Sequence, residues 1–279
     1  MVSFEDIAKF FGSNIKALEV VSVLRDAKPA ARMMIAEEKI AEAIGFLGNC
    51  GLSCTTSDFK VKKHDGAAES SSYSDAGITI PSDSAEKGYF FLYAAKEKEK
   101  SEHVKLLENS GRHKELGIAL GYPECCAAFY KEHSPQNGNV SPDLTLEVLK
   151  RSQGFQFPFE MNIAARHFDV SLISHFPCSF HCTSSLEIAK NNFRLLSSQD
   201  PEIAEGFKSS LKTAAIYTDT QGVFLLKGPI LEGNRLSYTG IKGTQENQLC
   251  AMLKSSDFIT IHNNNRIALY GFEMKNVGV

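Results

Sequence analysis

The chain has no tryptophan, no surplus of positive charge, no long apolar run and no even set of cysteines. Each absence excludes something. With 30 basic against 33 acidic residues the formal net charge is −3, so no overall positive field draws the chain to nucleic acid. No window reaches the ~18 consecutive apolar residues of a membrane helix, so no membrane partner is expected. Residues 1–12, MVSFEDIAKFFG, carry acids early and lack the apolar core of a secretory signal, so the expected location is cytoplasmic. Seven cysteines, an odd number with no signal segment, argue against a disulfide framework and for metal binding or catalysis. The G-x-G-x-x-G, Walker A, H-E-x-x-H, G-x-S-x-G and EF-hand patterns are missing. The radical-SAM spacing CxxxCxxC fails because Ser185 stands where its third cysteine belongs. The deaminase pattern P-C-x-x-C fails because PCSFHC has one residue too many.

What is present is an ordinary globular composition, 43% apolar and 23% charged over 279 residues. That is enough to bury about three quarters of the unfolded surface in one domain or two. Apolar spacing predicts helix over most of the first 50 residues, with Ser3 as a cap, then runs 15–24 and 35–47. A strand is expected around Phe59 and Val61, exposed on its lysine side, then a loop over 64–87 holding a short strand at 77–80. GYFFLYAA, residues 88–95, reads as a buried strand. Helices follow over 96–109, 112–120, from Pro123 onward and over 144–151, with a loop at 134–142. A helix and then a strand are expected in 160–174, and a further helix from Pro177 to about Leu196. Two hairpins are expected near the C-terminus, 215–217 with 223–226 and 258–261 with 266–270. The fold class is α+β: a helical cysteine-bearing core with a small sheet, plus a β-rich C-terminal region. In chain order the regions are 1–110, 111–200 and 201–279.

Two segments carry most of the chemistry, GYPECCAAFYKEH (121–133) and HFPCSFHCTSS (175–185). Each sets a proline just before cysteine at an expected helix start, where unpaired amides and the helix dipole favour a thiolate. On a helix, Cys178 and Cys182 would share one face, ~5–6 Å apart. Cys125 and Cys126 would diverge by ~100°, with Cys126 the one expected to face the site. His175 lies three residues before Cys178. The candidate ligands are therefore Cys125, Cys126, Cys178, Cys182 and His175, a set that suits zinc or an iron–sulfur cluster with an open position. Cys50 and Cys54 form a further CxxxC flanked by glycine and serine, and Cys250 sits in an apolar run that reads as core.

The stretches RHKELGIALGYPECCAAFY and FPFEMNIAARHFDVSLISHFPCSFHC resemble an uncharacterised prokaryotic family, domain of unknown function 483, through LGYP-x-CC and H-x-PC-S-x-x-C. The likeness covers roughly residues 88–195. It implies that both segments belong to one site and carries no activity with it.

Around the cysteines, Arg112, His113, Asn162 and Arg166 are the candidates for holding a small anionic substrate. His175, Glu124 and Arg166 are the candidates for catalysis. The expected function is an enzyme with a metal–thiolate centre acting on a small molecule. A metal-free transferase or hydrolase with a cysteine nucleophile, and a binding module with a structural zinc, are the alternatives.

Overall fold

The structure, a computed structural model, describes residues 2–63, 77–133, 139–140, 142–218, 220–261 and 268–276. It is an α+β fold with a helical cysteine-bearing core and several small sheets, one group of them C-terminal. The chain forms two compact units. The first runs through Leu144 and also takes the returning segment Ser174–Cys178; the second comprises Thr145–Ile173 and Ser179–Val279.

The first unit opens with α1 (Phe4–Phe11), where Ser3 and Asp6 bond each other's backbone amides in a capping box. Next come α2 (Asn14–Leu24), β1 (Ala31–Ala36), α3 (Ile40–Asn49), β2 (Ser53–Thr56), β3 (Phe59–Lys63), β4 (Gly77–Pro81) and β5 (Tyr89–Ala95). Helices α4 (Lys98–Asn109), α5 (His113–Ala119) and α6 (Glu124–His133) and the short β6 (Asn139–Val140) complete it. The sheet order is β1-β5-β3-β4-β6, with β2 also paired to β5. β5 is buried on both faces from Phe91 to Ala95, which is why it reads as an unbroken apolar run rather than an alternating one. Val104 and Leu107 of α4 and Leu116 of α5 cover the face carrying Phe91 and Tyr93. Helices α2 and α3 also pack on β1 and β5.

Two expectations fail here. Ile35 is not helical: residues 31–36 pair antiparallel with β5, Met33 opposite Leu92. The lysine side of β3 is not solvent-facing throughout either. Lys60 is fully buried, and its Nζ donates to both Glu37 carboxylate oxygens (3.1 and 3.2 Å) and to the Ser84 carbonyl (2.6 Å).

The second unit holds α7 (Thr145–Lys150), β7 (Gln156–Phe157), α8 (Thr183–Gln199), α9 (Pro201–Leu211), β8 (Thr213–Tyr217), β9 (Val223–Lys227), β10 (Ile230–Glu232) and β11 (Arg235–Ser237). It ends with β12 (Gly240–Gly243), α10 (Gln248–Lys254), β13 (Phe258–Thr260), β14 (Ala268–Phe272) and β15 (Lys275–Asn276). One sheet has the order β12-β9-β8-β14-β7 and the other β13-β11-β10-β15. The first expected hairpin is present as β8–β9. The second is not: β13 pairs with β11, while β14 pairs with β8 and β7. Its turn at 263–265 lies outside the described residues, as do most of the loops expected at 64–87 and 134–142. Residues 160–174 form 3-10 turns, Phe159–Met161 and Ile163–Phe168, with no strand after them. Cys250 is core, as expected. Among the described residues no helix is long and apolar enough to cross a membrane.

Candidate metal centre

The first cysteine segment is set by the end of α5. The Tyr122 amide donates to the Gly117 carbonyl and the Gly121 amide to the Ile118 carbonyl, both at 2.9 Å. This is a Schellman stop, and Gly121 takes its left-handed position at φ +83°. A Cβ on Gly121 would fall 2.7 Å from Pro29 Cδ, so the turn also needs glycine for space. Gly117 lets α5 and α6 approach closely, since a Cβ there would lie 2.9 Å from Ala127 Cβ. After the turn, Pro123 immediately precedes α6, and the Cys126 and Ala127 amides donate to its carbonyl. Cys125 and Cys126 thus sit in the first turn of α6, one exposed and one buried.

The second segment differs from expectation. No helix begins at Pro177; α8 begins at Thr183, with Cys182 as its N-cap residue. Cys178 and Cys182 are joined by a tight turn, in which the Cys182 amide donates to the Ser179 carbonyl at 3.1 Å. The physical reason lies at Phe180. Its ring is fully buried against Phe157 and Phe272 (centroids 4.8 and 5.3 Å), and its amide donates to Ser152 Oγ at 2.8 Å. That amide and that side chain are held by non-local partners that a helix through 177–182 would break.

The sulfurs of Cys125, Cys126, Cys178 and Cys182 all lie within 4.8 Å of one another. Cys125 Sγ and Cys126 Sγ are 3.8 Å apart. A tetrahedral ion with Zn–S bonds of ~2.3 Å holds its sulfurs about 3.8 Å apart. The Cys178 amide donates to Cys126 Sγ at 3.3 Å, a bond that favours negative charge on that sulfur. Cys126 and Cys182 are buried, Cys178 is half-buried and Cys125 is exposed. The four-thiol set is geometrically compatible with a metal ion.

The other candidates fall elsewhere. His175 is outside the four-sulfur set; its buried ring lies against Tyr122, centroids 4.8 Å apart. Glu124 is exposed and accepts a 2.6 Å bond from Lys114, which holds its carboxyl below the usual carboxylate range. It is ionised at neutral pH, with no proton to give as a general acid. Exposed Arg112 pairs with Glu115, and His113 stands edge-on to Tyr130. Asn162 and Arg166 belong to the second unit. Asn162 is buried, donates to the Leu211 carbonyl and Thr213 Oγ1, and accepts from the Ala165 amide. Arg166 is buried and reaches the Ile173 carbonyl.

A buried polar chain beside the cysteine segments is absent from the sequence reading. Lys28 pairs with Glu19 of α2 and donates to Ser174 Oγ at 3.2 Å; the Ser174 hydroxyl donates to Tyr122 Oη at 3.1 Å. The available signal is Glu19 itself, a lone acid inside the apolar run ALEVVSVL.

Cys50 and Cys54 are not part of the sulfur set. Burial pushes both thiols up, and Cys54, with Cys50 beside it, reaches about 11. Against the ordinary value of 9.0, its thiolate fraction at neutral pH is about 100-fold lower. Limiting iodoacetamide on metal-free protein therefore labels exposed Cys125 well before Cys54, as read by peptide mass spectrometry. Equal labelling rates would contradict the burial of Cys54.

No family model, curated protein or solved structure matches the chain.

Proposed function

We propose that the protein is an enzyme built on a single-ion metal–thiolate centre, with zinc as the best-fitting ion. Cys126, Cys178 and Cys182 anchor the ion, and Cys125 is the exchangeable fourth ligand. The observation that carries this is the asymmetry of the set: four sulfurs within 4.8 Å, two buried, one half-buried and one at the surface. The close spacing supports one ion, because an iron–sulfur cluster sits between its thiolates and spreads them farther. The likeness of both segments to the paired motifs of one family accords with a shared centre. A zinc ion there supplies Lewis acidity toward a small substrate.

Protein purified without air is expected to hold one zinc per chain. Cys125→Ala is expected to keep both fold and stoichiometric metal, and its cobalt-loaded form to change its visible spectrum when imidazole is added. Iron with acid-labile sulfide, or no stoichiometric metal, overturns the single-ion reading. A complete set of four sulfurs also favours a closed structural zinc. In that case Cys125→Ala loses metal and stability as Cys126→Ala does, and imidazole changes nothing.

A further inference from the structure

The two cysteine segments are 52 residues apart where the Cys178 amide meets Cys126. Their sulfurs must nevertheless be held close to a common centre for a metal to bind tightly. Something outside the ligand set has to fix that register, and the buried chain around Lys28 is placed to do it. The Lys28 side chain is about nine-tenths buried. Its Nζ donates to Glu19 and, at 3.2 Å, to Ser174 Oγ. The Ser174 hydroxyl donates onward to Tyr122 Oη at 3.1 Å. The same Nζ lies 4.8 Å from the centre of the Tyr122 ring, and that ring also lies against His175. Tyr122 stands three residues before Cys125, and Ser174 four before Cys178. One ammonium therefore ties the approach to one pair of ligands to the approach to the other. The backbone makes the same connection, since the Gly121 turn is pressed onto Pro29, the neighbour of Lys28.

A buried ion pair is a weak source of stability, because desolvating two charges offsets much of their attraction. What Lys28 provides is direction: a compact ammonium whose donors aim at fixed points, one on Glu19 and one on Ser174. We infer that Lys28, Ser174 and Tyr122 are positioning residues of the metal centre, a polar brace that sets the Cys125–Cys126 turn against Cys178. This inference rests on the metal–thiolate reading above.

The test is the Tyr122→Phe, Ser174→Ala double variant, which cuts the brace while leaving the Lys28–Glu19 pair to hold the fold. Zinc affinity is measured by competition with a chromophoric chelator. Circular dichroism and melting of the metal-free protein report the fold, and cobalt-loaded spectra report the ligand geometry. The expected loss is about 10- to 100-fold in zinc affinity, with a shifted cobalt spectrum and unchanged metal-free melting. Lys28→Met loses at least as much but also leaves Glu19 unpaired, so the double variant, which keeps that pair, decides the test. Wild-type affinity in the double variant, beside a wild type that binds one zinc, overturns the brace alone. A loss of affinity that only tracks a fall in metal-free stability overturns it too. A wild type without stoichiometric metal overturns both the brace and the reading beneath it.

Discussion

Stripping zinc with a strong chelator, under reducing and oxygen-free conditions, is expected to lower the melting temperature by about 10–15 °C. A ligand that binds only the folded state stabilises it by RT ln(1 + [L]/Kd), about 4 kcal/mol at a thousandfold excess over Kd. In a unit of this size each kcal/mol moves the melting point by roughly 3–4 °C. The sulfurs are placed to give that effect in full, since ligands from two distant segments come together only in the folded chain. Cys126→Ser and Cys182→Ser should melt low already and respond little to chelator. Calorimetry with and without chelator checks this. A wild type whose melting point ignores chelator, despite bound zinc, would show that the ion contributes nothing to folding.

Glu19→Gln is expected to cost about 3–5 kcal/mol, the usual penalty for leaving a buried charge without its partner. Denaturant titration at pH 7 measures it. Glu19 and Lys28 are both buried, with side chains 7% and 10% exposed. Burial by itself lowers the Lys28 pKa, but the Glu19 carboxylate and then Tyr122 outweigh it and raise the ammonium above the ordinary lysine value of 10.5. A raised folded value means that the pair's contribution is fully present below pH 10.5 and is lost as pH rises through the folded pKa. On the alkaline side, wild type should therefore keep this increment until strong alkali, whereas Glu19→Gln lacks it throughout that range. Replacing both partners by apolar residues of similar volume should cost far less than either single change. A Glu19→Gln cost below about 1 kcal/mol would place the pair in the surface class instead.

Much of this fold was legible where local chemistry and the final structure agree. The Ser3 cap, the aromatic strand β5, the Gly121–Tyr122–Pro123 break between α5 and α6 and the β8–β9 hairpin follow from period and turn residues. The failures come where distant partners decide. ARMMIA (31–36) is rich in good helix formers, yet it is a strand because β5 pairs with it along its length. β13 and β14 look like neighbours and instead pair with separate sheets. The cysteine centre itself is a mixed case. Both segments converge as the spacing suggested, but Cys178 and Cys182 do so across a turn anchored by Phe180, not along a helix face. His175 was expected among the ligands because of its position, three residues from Cys178; its tilted ring contact with Tyr122 is a tertiary fact that spacing does not carry.

The first unit is completed only by Ser174–Cys178, long after its other strands and helices have been made. Ribosomes add roughly 5–20 residues per second. The 52 residues between Cys126 and Cys178 thus separate their emergence by about 3–10 s. During that interval the nascent polypeptide shows one vicinal dithiol to the cell without its later counterparts. A metal ion shared by all four sulfurs would accordingly have to wait for Cys182, and a fragment released at Leu144 holds two of those four thiols however much zinc is supplied.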